Sequence, residues 1–160
     1  MKRTALYAGS FDPFTNGHLD IVNRALSIFD EIYIVIAVSP SKKPFTSKEV
    51  RKKLLTNLFK SDQRVTVDTW DGLLVDYAKQ NNVHSIVRGL RPTGDFEFEF
   101  QMASMNRKLN PNCETVFFAT GEKLYYISST LVKDVFNHGG DISEFVPKAI
   151  YEELMKKRKG

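Results

Sequence analysis

The sequence predicts an α/β fold: a doubly wound sheet of five parallel strands with helices on both faces. Three observations carry the expectation. Short apolar or β-branched runs alternate with longer stretches of helical period along the whole chain. The short runs are mostly apolar at consecutive positions, as strands covered on both faces require. The chain has 160 residues, enough for one well-filled core and too few for two, and no Pro/Gly/Ser-rich linker divides it. A single domain over residues 1–160 follows, with a basic tail at about 156–160 that reads as a frayed, solvated helix end.

Taken in order, the first strand is Arg3–Ala8. A helix over Gly17–Phe29 follows, with Ile21, Val22, Ala25, Ile28 and Phe29 on one face. The second strand is Ile32–Val38. Thr46 and Glu49 then stand at capping-box spacing and open a helix to Phe59 that turns Val50, Leu54, Leu55 and Leu58 inward. Arg64–Thr69 is the third strand, and Gly72–Gln80 a short helix carrying Leu73, Leu74, Tyr77 and Ala78. Ser85–Val87 is the fourth strand. Asp95–Leu109 starts with the strand-like alternation of Phe96, Phe98 and Phe100, but its length and the stripe Phe98, Met102, Met105 and Leu109 make it a helix. Its apolar arc is wide enough to suit a second subunit as well as its own core. After the fifth strand, Thr115–Ala119, a helix over Ser129–His138 carries Leu131, Val132, Val135 and Phe136 and stops at Gly139–Gly140. A last helix begins near Pro147, a residue favoured in the first turn.

Such alternation implies βαβ units with right-handed crossovers in a Rossmann-like sheet. Ligands of these sheets bind outside the carboxyl ends of the strands, where the strand order reverses. Composition narrows the classes further. The longest apolar run, Ile32 to Val38, has seven residues, against the roughly 20 needed to span a bilayer. The N-terminus has too short an apolar stretch for a signal peptide, so a cytoplasmic protein with no membrane partner is expected. Cys113 is the only cysteine, which excludes an internal disulfide and a thiolate zinc site. Lysine and arginine number 23 against 19 acidic residues, a net charge of +4 that suits an anionic partner. No aromatic–basic repeat points to nucleic acid.

The turns after the strands hold the candidates for chemistry. After the first comes Gly9-Ser10-Phe11-Asp12-Pro13-Phe14-Thr15-Asn16-Gly17-His18. Gly9 is expected to give a tight turn, and Gly17 a close approach to ligand. The helix start offers amide donors and a positive dipole end for an anion, with Ser10 and His18 beside it. After the second strand, Ser39-Pro40-Ser41-Lys42-Lys43-Pro44 displays two lysines on an extended loop. After the fourth, Arg88 and Arg91 flank Gly89 and can converge on one polyphosphate. After the fifth, Ile127-Ser128-Ser129-Thr130 places three hydroxyls at another helix start. The bland readings of these residues are a capped turn, a solvated lysine pair, and ion pairs from the arginines to Asp95, Glu97 or Glu99. His84, His138 and Trp70 read as structural or undecided, and the three histidines make no metal-ligand pattern.

Neither a Walker loop nor a dinucleotide fingerprint is present. Thr15-Asn16-Gly17-His18 instead resembles the Thr/His-x-Gly-His signature of the nucleotidyltransferase superfamily. All four loops together, with Asp95-Phe96-Glu97 and Leu131-Val132-Lys133, closely resemble the bacterial phosphopantetheine adenylyltransferases in order and spacing. Ser10 stands where threonine is common in that family, and Pro92-Thr93-Gly94 where an Ala-Val-Ala-like stretch is usual. The resemblance implies transfer of AMP from ATP to 4′-phosphopantetheine, with magnesium accompanying the nucleotide and no protein-held metal. It implies catalytic roles for His18, Ser10, Lys42 and Arg91, and a pantetheine site at Ser10, Lys42, Leu74 and Arg88. ATP contacts would come from Ser10, Phe11, His18, Gly89, Leu90, Arg91 and Glu99, and from Leu124, Tyr125, Tyr126, Ile127, Ser128, Ser129 and Thr130. A homohexamer with coenzyme A as feedback ligand is implied as well. A relative using CTP or another acceptor is the alternative enzyme, although cytidylyltransferases usually carry His-x-Gly-His and an Arg-Thr-Glu-Gly-Ile-Ser-Thr-Ser run. A nucleotide sensor without turnover is the non-enzymatic alternative.

Overall fold

A computed structural model describes residues 2–37, 43–92 and 95–159. The elements follow the order β1 (Thr4–Gly9), α1 (Asn16–Ala25), β2 (Glu31–Ala37), α2 (Lys48–Leu58), β3 (Val65–Trp70), α3 (Leu74–Gln80), β4 (Ser85–Leu90), α4 (Asp95–Leu109), β5 (Glu114–Ala119), α5 (Ser129–Asn137) and α6 (Lys148–Lys159). The five strands form one parallel sheet in the order β3-β2-β1-β4-β5. β1 therefore lies between β2 and β4, and the winding direction reverses there.

Side-chain alternation along each strand feeds two cores. Ala5, Tyr7, Ile32, Ile34, Ile36 and Val87 face one side, against Ile21 and Val22 of α1, Leu55 of α2, Val132 and Phe136 of α5 and Leu154 of α6. Leu6, Ala8, Val35 and Ile86 face the other, against Val75, Tyr77 and Ala78 of α3 and against Cys113. Each such aliphatic side chain contributes about 1.5–3 kcal/mol on burial, which explains the consecutive apolar positions in the strands. Trp70 packs on this second core, its ring 5.4 Å from Tyr77 and its Nε1 donating to the Leu73 carbonyl at 2.9 Å.

Several boundaries differ from the sequence reading for identifiable reasons. β4 continues through Arg88, Gly89 and Leu90, because β5 supplies partners at Phe117, Phe118 and Ala119. The expected cap Thr46 is drawn to Asp12, and Ser47 caps α2 instead, accepting from Val50 N at 3.3 Å. α1 ends at Ala25, leaving Ile28 exposed; on α5, Leu131 and Val135 are exposed while Val132 and Phe136 are buried.

The basic tail is not frayed. α6 runs to Lys159, and the Arg158 guanidinium lies 4.1 Å from the Phe136 ring centroid. Its nitrogens donate to the carbonyls of Phe136, Gly139 and Gly140, at the end of α5 and in the turn that follows it. Lys157 sits over the Phe45 ring at 4.0 Å and donates to the Phe45 carbonyl. Arg158→Ala is expected to cost about 1–2 kcal/mol, a fall in Tm of roughly 3–6 °C, while Lys156→Ala stays within about 0.5 kcal/mol. Thermal unfolding of both variants checks this, and equal effects would return Arg158 to the solvated surface.

Candidate active site

At the sheet's reversal point, the carboxyl ends of β1 and β4 open into a cleft of about 250 Å³. Gly9, Phe11, Gly17 and His18 line one wall; Arg88, Gly89, Arg91 and Glu99 line a second; Ile127 to Thr130 close the third. The three walls come from the segments that follow β1, from the end of β4 with Glu99 of α4, and from the start of α5 after β5.

The first wall is built by the cap of α1. Thr15 is the N-cap and His18 the third helical residue, and the two form a reciprocal capping box. The Thr15 amide donates to His18 Nδ1 at 2.9 Å, and the Thr15 hydroxyl accepts from the His18 amide at 3.4 Å. A backbone N–H can only donate, so Nδ1 is the acceptor and the neutral ring carries its proton on Nε2. Burial, then the positive charges of Arg91 and Arg88, hold the imidazole down to about 4, so the ring is neutral near pH 7. Phe11 and Phe14 pack around it, with centroids 5.2 and 5.3 Å away. Phe11 takes φ 46°, an uncommon conformation for an aromatic residue. Its ring covers Gly9, where a Cβ would stand 3.1 Å from Phe11 Cε1. Gly9 therefore makes room for a ring; the turn itself falls on Phe11.

Two of the amides at the start of α1 are already engaged: Asn16 N donates to the Phe145 carbonyl at 2.8 Å, and His18 N goes to Thr15. The anion site at this terminus is thus narrower than a bare helix start.

On the second wall, Arg88 makes a two-pronged pair with Glu99, Nε to Oε2 at 2.8 Å and Nη2 to Oε1 at 2.5 Å, while Nη1 donates to the Ala8 carbonyl at 2.9 Å. The ion-pair reading of Arg88 is the one this geometry realises, with both partners still facing the cleft. Arg91 lines the cleft directly. Gly89 packs close under α1, where a Cβ would stand 3.1 Å from Ile21 Cγ1. Leu90 is not among the lining residues; its carbonyl accepts from Thr120 N at 3.0 Å and Thr120 Oγ1 at 2.6 Å.

On the third wall, Ser128 caps α5 by accepting from Leu131 N at 3.1 Å, and Ser129 Oγ donates to the Pro13 carbonyl at 2.8 Å. One hydroxyl thus caps α5 and the next ties that helix to the β1–α1 turn. Leu124 does not line the cleft; its carbonyl stands 3.8 Å from where a Gly17 Cβ would be. Tyr125 and Tyr126 are not brought to the cleft: their rings are exposed and packed edge-on at 5.9 Å. Ser10 is exposed at the edge of the turn, and Lys42, with Ser39 to Ser41, lies outside the described residues.

Leu74 lines a smaller hollow of about 110 Å³ that shares Arg88 and Glu99 with the cleft. Met102, Asn106 and Thr115 are among its other lining residues, and sequence reasoning missed all three. It also missed Tyr7 and Thr120 in the main cleft. Thr120 directly follows β5, so the strand-end rule could have found it. Burial pushes the Tyr7 hydroxyl's pKa up, keeping it protonated. Among the described residues no cluster of His, Cys, Asp and Glu could hold a metal ion.

The cleft's donors, an imidazole Nε2–H, guanidinium and hydroxyls around a helix start, suit a phosphate chain undergoing transfer. Residues 6–135 match the model of the cytidylyltransferase-like enzymes, which sets the class: a nucleotidyltransferase. A structure described as a nicotinate-nucleotide adenylyltransferase of Vibrio parahaemolyticus shares the fold, with TM-score 0.66 and 21% identity over 97% of this chain and 99% of that one. The phosphopantetheine adenylyltransferase of Caldanaerobacter subterraneus subsp. tengcongensis is 48% identical over 98% of both chains. That of Clostridium tetani is 48% identical over 96% of both, and that of an Anaeromyxobacter species 45% identical over 98% of this chain and 96% of its own. The chain belongs to the phosphopantetheine adenylyltransferase family.

Proposed function

We propose that the protein transfers AMP from ATP to 4′-phosphopantetheine, giving dephospho-coenzyme A and pyrophosphate, the penultimate step of coenzyme A synthesis. The observation that carries the reading is the fixed Nε2–H of His18 in a cleft that Arg91 also lines. The acceptor's phosphate oxygen attacks the α-phosphorus in line. The bond from that phosphorus to the α,β-bridging oxygen breaks, and pyrophosphate leaves with the electron pair. No side chain needs to become a nucleophile, so alignment and charge neutralisation carry the catalysis. His18 donates to an α-phosphate oxygen as charge gathers there, and Arg91 stabilises the same charge. Ser10 and Lys42 hold the attacking phosphate, while the hollow around Leu74 and Arg88 takes the acceptor's arm. The start of α5 and Gly89 hold the nucleotide.

The cleft's donors fit an anion better than a bare cation, so magnesium would be held by the triphosphate and would neutralise its charge when bound. The apolar face of α4, where Phe96, Phe98, Phe100 and Met105 are exposed, supports a homohexamer. No helix among the described residues is long and apolar enough to cross a membrane. We place the protein in the cytoplasm with coenzyme A as its feedback ligand.

The deciding experiment measures pyrophosphate release with ATP, magnesium and 4′-phosphopantetheine, with CTP and acceptor-free controls. Release that requires both ATP and acceptor is expected; ATP binding with no release would leave a sensor. Lys42→Ala is expected to raise KM for phosphopantetheine about tenfold or more, as loss of a charged contact to phosphate does. Unchanged kinetics with both substrates would make Lys42 an ordinary solvated lysine.

A further inference from the structure

Asp12 and Arg51 are charged side chains buried outside the cleft, 6% and 4% exposed. The Asp12 carboxylate accepts three hydrogen bonds from the stem that leads into α2. Phe45 N donates to Oδ2 at 2.7 Å, Thr46 N to Oδ1 at 2.9 Å, and Thr46 Oγ1 to Oδ1 at 2.6 Å. Arg51 Nε lies 4.0 Å from Asp12 Oδ1 and 3.4 Å from the Ser47 carbonyl, and its Nη1 donates to the carbonyl of Ser10. Three segments therefore meet on one buried pair: the turn after β1, the stem before α2, and α2 itself. Lys157 holds Phe45 from the far side.

A buried ion pair is weak evidence for a stability role, since apolar replacements of similar volume often stabilise as well. Its particular capacity is geometric: one carboxylate with two oxygens fixes three donors from another segment. We propose that Asp12 is a positioning residue for the transfer reaction, fastening the Phe45–Thr46 stem to the Ser10–Phe14 turn so that the groups binding the acceptor's phosphate keep one spacing. The inference rests on the function proposed above. Misplacement of reacting groups by about 1 Å can cost 10²-fold, so such a clamp acts on the reaction without touching substrate.

The test varies ATP and 4′-phosphopantetheine independently for Thr46→Val, Thr46→Ser and Asp12→Asn. Thr46→Val keeps the side chain's shape and removes only the hydroxyl bond to Asp12. It is expected to raise KM for phosphopantetheine about five- to tenfold, with KM for ATP within about twofold. Thr46→Ser should restore the wild-type value, and Asp12→Asn should raise the same KM at least as far as Thr46→Val. If Asp12→Asn does not fold, the threonine pair decides alone. An unchanged acceptor KM in Thr46→Val, or equal shifts for both substrates, would refute the positioning role while wild-type turnover left the function standing. Absence of acceptor-dependent release by the wild type would overturn the functional reading and this inference with it.

Discussion

His18→Ala is expected to lower kcat by about 10²–10³-fold, the usual cost of removing one preorganised transition-state donor, while KM for both substrates should change little. The capping box of α1 sets this donor. Nδ1 is committed to the Thr15 amide, so Nε2 carries the proton, and in the proposed reaction it would donate to a phosphate oxygen. The ring's aromatic neighbours and the engaged cap hold that donor in place before substrate arrives. Alanine also leaves the Thr15 amide without its acceptor, at about 1 kcal/mol of stability, which the fold withstands. Activity within twofold of wild type would remove His18 from the transition state. The pH behaviour follows with a definite sign. The folded ring takes a proton only near pH 4, whereas the ordinary value is 6.5, so between these the unfolded chain binds more protons. This contribution to stability is complete above about pH 6.5 and declines as pH falls toward 4. Chemical denaturation from pH 7.5 to 4.5 should show that decline in wild type and a smaller one in His18→Ala. The pH–rate profile should lack an acidic limb near 6.5.

Arg91→Ala is the second large effect, a fall in kcat of about 10²-fold or more, in line with arginines that meet charge in phosphoryl transfer. After burial, the positive charge of Arg91 helps hold the His18 basicity down, so its removal should raise the imidazole pKa part of the way toward its ordinary value. Imidazole NMR titration in the variant reads this independently of turnover. A collapse of kcat with no movement of the His18 titration would separate Arg91 from the histidine. Unchanged kcat would assign it to ground-state binding or to structure.

The sheet, the number of strands and the positions of most helices were legible because apolar runs and helical periods are local properties of a chain. The loops after β1 and β4 were legible for a related reason: glycine, proline, histidine and paired basic residues interrupt those periods. His18 stood out that way and does line the cleft. What was not legible depends on distance along the chain. Thr46 has capping-box spacing with Glu49, yet a carboxylate 34 residues earlier takes its hydroxyl. Arg158 looked solvated because its partners, the Phe136 carbonyl and ring on α5 and the Gly139 and Gly140 carbonyls after it, lie about 20 residues earlier in the chain. Arg88 could be read as a ligand for phosphate or as half of an ion pair, and only the packing of α4 beside β4 brings Glu99 to it.

By itself, then, the sequence determined the class of fold, the family and most of the residues that meet at the cleft, since each is carried by residue type and spacing over short stretches. Tertiary structure alone decided which hydroxyls and amides are already engaged, the tautomer of His18, the pairing of Arg88, and the buried clamp of Asp12 and Arg51. Those depend on which groups from separate segments come within 3 or 4 Å of one another, because hydrogen bonds and charge pairs act only at that range.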